Sequence, residues 1–185
     1  MNNGAFNNSS YVVDIPIADG DPVPRRGCQD GEWVEESSAR PLYTLLYTEL
    51  LTGRSDIFLT NASVNLRREP YVAKAAVFCA EGGGYGDMTL FSFQISDGKS
   101  TRLTVSGPGA NVERDGVLLG LKPGEIHPVG VEVRVEGALV VDWSSDLVFQ
   151  VGGEQHRVNI GSASTAGADS KVPRFTSEGG KWRRG

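Results

Sequence analysis

The strongest alternation in the chain is VGVEVRVEG, residues 129–137, with Val129, Val131, Val133 and Val135 on one side and Gly130, Glu132, Arg134 and Glu136 on the other. Successive side chains of a strand point to opposite faces, so this stretch predicts a half-wet strand of an antiparallel sheet. MTLFSFQIS (88–96) and STRLTVS (100–106) alternate in the same way and flank SDGKS (96–100). A loop of Ser96-Asp97-Gly98 would put Gly98 at the left-handed position of a G1-bulge turn. It would pair Phe91 with Leu103, Phe93 with Thr101 and Thr89 with Val105. Further along, LVFQVGGEQHRVNI (147–160) predicts a second hairpin turning on Gly152-Gly153, with Phe149 opposite His156 and Leu147 opposite Val158.

Other stretches are less decided. IFLTNASVNL (57–66), YVAKAAVFCA (71–80) and ALVVDW (138–143) read as strands, whereas SSARPLYTLLYTELLTG (37–53) fits either a short helix or a buried strand. Seven or eight short strands with frequent turn signals predict a mainly β fold, an antiparallel β-sandwich or jelly roll with at most one or two short helices. The strands concentrate in a core from 41 to 160. Residues 1–40 are rich in Asn, Gly and Pro and read as an extended N-terminal arm. Within that arm, Tyr11-Val12-Val13 with Ile15 and Ile17, and Trp33-Val34, form apolar islands that would dock on a partner or pack on the chain's own core. Residues 161–185 are small, polar and basic, and read as a C-terminal tail in which Phe175 and Trp182 are isolated anchors beside Arg183 and Arg184.

Composition narrows the class. At 185 residues, with 39% hydrophobic and 22% charged residues, the chain suits one globular domain with extensions. It has no apolar run of membrane-spanning length and no secretory leader pattern, so synthesis in the cytoplasm is expected, with release by another route left open. The net charge of −5 argues against a dedicated nucleic-acid binder, because duplex affinity rests on cations that neutralise phosphates. The final segment is the basic part of this acidic chain. Cys28 and Cys79 stand far apart without a ligand-like spacing and read as a pair of free thiols.

Motifs for chemistry are scarce. Gly98-Lys99-Ser100 resembles the end of a phosphate loop, but residue 93 is Phe where the first glycine belongs, and a strand rather than a helix follows. AEGGGYGDM (80–88) lacks the spacing of a dinucleotide loop and reads as a mobile loop carrying Tyr85, either a structural connection or a contact tip. Only two histidines occur, His127 and His156, neither near a nucleophile motif, and no zinc-ligand pattern is present. Asp56, Asp87, Asp97, Asp115, Asp142 and Asp146 lie near turns, which leaves a two-carboxylate hydrolase or a loop Ca²⁺ as open alternatives. No catalytic, cofactor or metal residue is assigned. The expected function is non-enzymatic: an assembly protein, such as a capsid, decoration or tail component of a virion, whose arms bind neighbouring subunits. Tyr85, Trp33, Phe175, Trp182, Arg183 and Arg184 are the candidate contacts. A carbohydrate- or surface-ligand-binding module using Tyr85 and Trp143 is the alternative.

Overall fold

The computed structural model describes residues 3–7, 10–79, 87–96, 100–110 and 116–185. Among them lie fourteen strands and one short helix, arranged in several mostly antiparallel sheets with no closed barrel. With strands numbered in chain order, the first sheet runs β1 (Asn3–Asn7), β4 (Thr44–Leu51), β10 (Ile126–Val135), β7 (Thr89–Ser96), β8 (Ser100–Ser106). The second runs β12 (Glu154–Ala166), β11 (Leu139–Val151), β5 (Ile57–Pro70), β9 (Leu119–Leu121). The third runs β14 (Lys181–Arg184), β13 (Arg174–Glu178), β6 (Ala75–Phe78), β2 (Ser10–Val13), β3 (Arg40–Pro41). Two neighbouring pairs, β10 with β7 and β13 with β6, are parallel.

The first two sheets share one hydrophobic cluster. Leu46, Phe91, Phe93 and Val131 from the first meet Leu59, Trp143, Leu147 and Phe149 from the second. The ambiguous stretch before residue 52 is strand β4, which sits between β1 and β10 and turns Leu46 and Leu50 toward the cluster. In β10, Val129, Val131 and Val133 are fully buried, as the alternation predicts. The other face is not wet at its centre, because Gly130 is buried and Glu132 is 0% exposed. Leu45, Met88 and Leu90 close over Gly130, where a Cβ would stand only 2.8 Å from Leu45 Cδ1. Alternation shows that two faces differ but not what covers the polar one.

The β11–β12 hairpin has the expected register, Phe149 opposite His156 and Leu147 opposite Val158. Gly152 and Gly153 both take positive φ, 59° and 89°, as a two-residue primed turn requires. In the β7–β8 hairpin the pairing is two residues away from expectation: Phe91 meets Val105, Phe93 meets Leu103, and Ser96 meets Ser100. A shift of two keeps every side chain on its face and exchanges Phe93 opposite Thr101 for Phe93 opposite Leu103, which places apolar residues against each other. The loop residues 97–99, like Tyr85 and its loop, lie outside the described residues.

The terminal segments enter the sheets of the same chain. β12 continues to Ala166, and the β13–β14 hairpin lines up beside β6 and β2. A second cluster joins Val13, Ala75, Val77, Phe175 and Trp182, with Tyr11, Ile15, Ile17, Trp33 and Val34 packed against it. Of the two places open to the N-terminal apolar islands, they occupy their own core. A third, smaller cluster of Val12, Ala76, Val140 and Ala166 ties the third sheet to the ends of β11 and β12. Cys28 and Cys79 are not free thiols but form a disulfide. Cys79 directly follows β6, and the 3-10 turn Gly27–Gln29 holds Cys28 against the same cluster, so the tertiary fold closes a separation of 51 residues.

Candidate functional site

At one end of the two large sheets the core opens into a groove of 620 Å³, walled by Leu50, Ile57, Phe149, Val151 and Val158, with Glu49 and His156 at its margin. The volume falls in the range of roughly 300–1,000 Å³ usual for binding clefts. The strands explain its position. β12 is an edge strand, and Thr44 Oγ1 donates to the Ser164 carbonyl at 2.8 Å, which ties its later half to β4. Gly161, at φ 135° and against Leu46, separates that half from Glu154–Asn159. Over the earlier half, β12 has no strand partner on its outer side among the described residues. The groove lies beside this open edge.

Two large aliphatic side chains stand at its rim. Leu51 and Ile126 are direct cross-strand partners, 70% and 66% exposed. Phe58, 41% exposed, lies toward the same end on β5, beside Gly120 of β9. The adjacent Leu51 and Ile126 form a contiguous apolar exposure of the kind that marks interaction surfaces, whereas Phe58, on the other face of β5 from the core residues Ile57 and Leu59, is a single exposed residue of the ordinary kind. The margin carries little fixed charge pairing: His156 Nε2 and Glu154 Oε2 are 3.9 Å apart with both side chains largely exposed, a contact worth little in water.

Several titratable groups elsewhere among the described residues are tied into structural roles. Glu132 Oε1 accepts from Ser92 Oγ at 2.5 Å and Arg134 Nε at 2.9 Å, while Oε2 has no donor among the described residues. Buried Thr89 donates its hydroxyl proton to the Pro108 carbonyl, so the 2.7 Å contact with His127 Nε2 must be a bond donated by the imidazole. The contact makes His127 a brace between β10 and β7. Asp146 accepts from Asn65 and Asn159 across three strands. Hydrogen bonds from Ser96 and Gln94 hold the Glu136 carboxyl below the ordinary glutamate range. Among the described residues no three His, Cys, Asp or Glu side chains gather in a metal-holding group.

The residues singled out from the sequence fall elsewhere. Phe175 and Trp182 are 2% and 1% exposed, and the Trp33 and Trp182 rings lie 6.2 Å apart within the second cluster. Arg183 is exposed and reaches Asp19 at 3.7 Å, while the exposed Arg184 gives its backbone N–H to the same carboxylate. Trp143 belongs to the core at 2% exposure, its indole N–H donated to Thr165 Oγ1, so its ring face offers no sugar platform. Leu51 and Ile126 were not legible as a pair, because only the fold brings LLTG and GEIHP together. The one local signal was apolar residues left beside Gly and Pro turns. The chain matches no protein-family model, no curated protein and no solved structure. The groove and its rim therefore carry the functional reading.

Proposed function

We propose that this is a non-enzymatic assembly protein, a subunit of a larger particle such as a virion, whose first two sheets form a β-sandwich that docks on a second copy of the chain through its open end. The observation that carries the reading is the Leu51–Ile126 pair exposed beside an apolar groove. Convex aliphatic side chains next to a concave apolar wall are self-complementary, which is what an interface between identical subunits requires. The open outer edge of β12 beside the groove adds unpaired backbone groups that association would cover. The reading assigns contact to the sandwich end rather than to extended arms, since Phe175 and Trp182 are enclosed by their own chain.

The test is the molar mass of the full chain by size-exclusion chromatography with light scattering over a wide concentration range, beside Leu51→Glu and Ile126→Lys. The wild type is expected to self-associate and each variant to shift toward monomer, with the melting temperatures equal at dilutions where the wild type is itself monomeric, because both side chains are already solvated in the monomer. A wild type that stays monomeric at high concentration overturns the proposal.

A further inference from the structure

The segment from Asp14 to Ser38 is a strap. Its neck is closed by the Asp14 N–H donated to the Ser37 carbonyl at 3.0 Å. Between these ends it runs along β14, with Gly20 N–H to the Trp182 carbonyl, Trp182 N–H to the Asp21 carbonyl, and Val23 N–H to the Gly180 carbonyl. It then makes the turn that carries Cys28 and the helix α1 (Gly31–Glu36). The strap covers Phe175 and Trp182 with Ile15, Ile17, Val23, Trp33 and Val34, all of them only partly buried. Helix α1 has no fully buried residue, and Cys28 and Ser37 are the only buried positions among the described strap side chains. Its two ion pairs, Asp14 with Lys74 and Asp19 with Arg183, are between exposed groups and add little. Segments with few buried apolar contacts open at a small fraction of the global stability. The strongest tie on this one is covalent.

We propose that the Cys28–Cys79 disulfide is a redox latch on the strap, so that reduction lets Asp14–Ser38 lift from Phe175 and Trp182 while the two large sheets stay folded. The reductant is a dithiol. Cys28 is 1% exposed and Cys79 only partly buried, so the dithiol's thiolate attacks Cys79 Sγ, and Cys28 leaves as a thiolate that takes up a proton. The second thiol of the reductant then attacks its own sulfur in the mixed disulfide and releases Cys79 as a thiol. Two electrons and two protons pass to the protein, and the reductant becomes a cyclic disulfide. Lifting the strap uncovers an aromatic surface bordered by Arg183 and Arg184. The latch is independent of the groove, and neither proposal depends on the other.

The test compares the full chain oxidised, the same chain after dithiothreitol, and the Cys28→Ser/Cys79→Ser double variant. Arg25 and Arg26 are the only tryptic sites inside the strap. Reduction is expected to speed cleavage there by on the order of tenfold or more, the signature of a local opening. Acrylamide quenching of Trp182, read in a chain whose other tryptophans are Phe, should rise. Amide-exchange protection in β7, β10 and β11 should not change. Cleavage at an unchanged rate overturns the proposal. So does loss of protection in those three strands together with the strap, which would make the disulfide a staple of the whole fold. Because the measurement begins from folded, oxidised wild type, failure of the double variant to fold leaves both outcomes readable.

Discussion

Gly130 lies where three side chains converge, and a built Cβ would come within 2.8 Å of Leu45 Cδ1, 2.9 Å of Met88 Sδ and 3.2 Å of Leu90 Cδ1. Gly130→Val therefore overpacks the covered face of β10 and is expected to cost about 1–3 kcal/mol, measured as a lower urea midpoint at constant slope. Burial raises the phenol of Tyr11 above its ordinary range, and burial, then the nearby Asp14 charge, raises that of Tyr71, with Arg40 opposing. The fold thus favours the protonated form of both. Their contribution to stability is complete below the unfolded tyrosine value and is lost as pH rises through the higher native values. Alkaline titration followed by ultraviolet difference absorbance should show Tyr11 and Tyr71 ionising late, and Tyr71→Phe should remove its share of that late absorbance change. These environments were not readable in the sequence, since each depends on residues far along the chain.

Elements were legible where the decisive chemistry is local. The β11–β12 hairpin followed from Gly152-Gly153 and the apolar alternation on each side, because two glycines admit a turn with both φ positive. Gly152→Asn should be tolerated in that turn, whereas Gly153→Val places a β-branched residue at φ 89° and should cost at least about 1–2 kcal/mol. The check is chemical denaturation of both variants side by side. In the β7–β8 hairpin the faces were right and the register was not, since a two-residue slip leaves the pattern unchanged and only cross-strand packing selects between registers. β6 and β13 are four and five residues long and pair in parallel across almost a hundred residues of sequence, while the β13–β14 hairpin turns locally on Gly179-Gly180, a signal passed over in a segment read as a tail. No periodicity marks such strands.

At the scale of the molecule, composition and strand count led to a mainly β chain, but the third sheet stayed hidden. Its members come from residues 10–13, 40–41, 75–78 and 174–184, and the disulfide that holds its strap joins cysteines 51 residues apart. The groove was hidden for the same reason, being assembled from the ends of β4, β5, β10, β11 and β12. What did transfer from sequence to structure was the list of unusual residues. Trp33, Phe175 and Trp182 were singled out as contacts for a neighbouring subunit or ligand, and in the fold they pack together within their own chain.

That arrangement imposes an order on biosynthesis. The strap is translated early, but Trp182, the ring it encloses, emerges long after, and domains tend to fold N-terminal part first as they are made. Until β13 and β14 exist the strap can meet only Val13, Ala75 and Val77 of its cluster, although every strand of the first two sheets is complete by Ala166. The nascent chain must therefore carry Cys28 and Cys79 past the closure of its main core with neither yet sealed behind Trp182. In that interval a small-molecule disulfide could exchange with either thiol, leaving a mixed disulfide on the protein and releasing its other half as a thiol, and the strap would stay unfastened until a second exchange removed the cap.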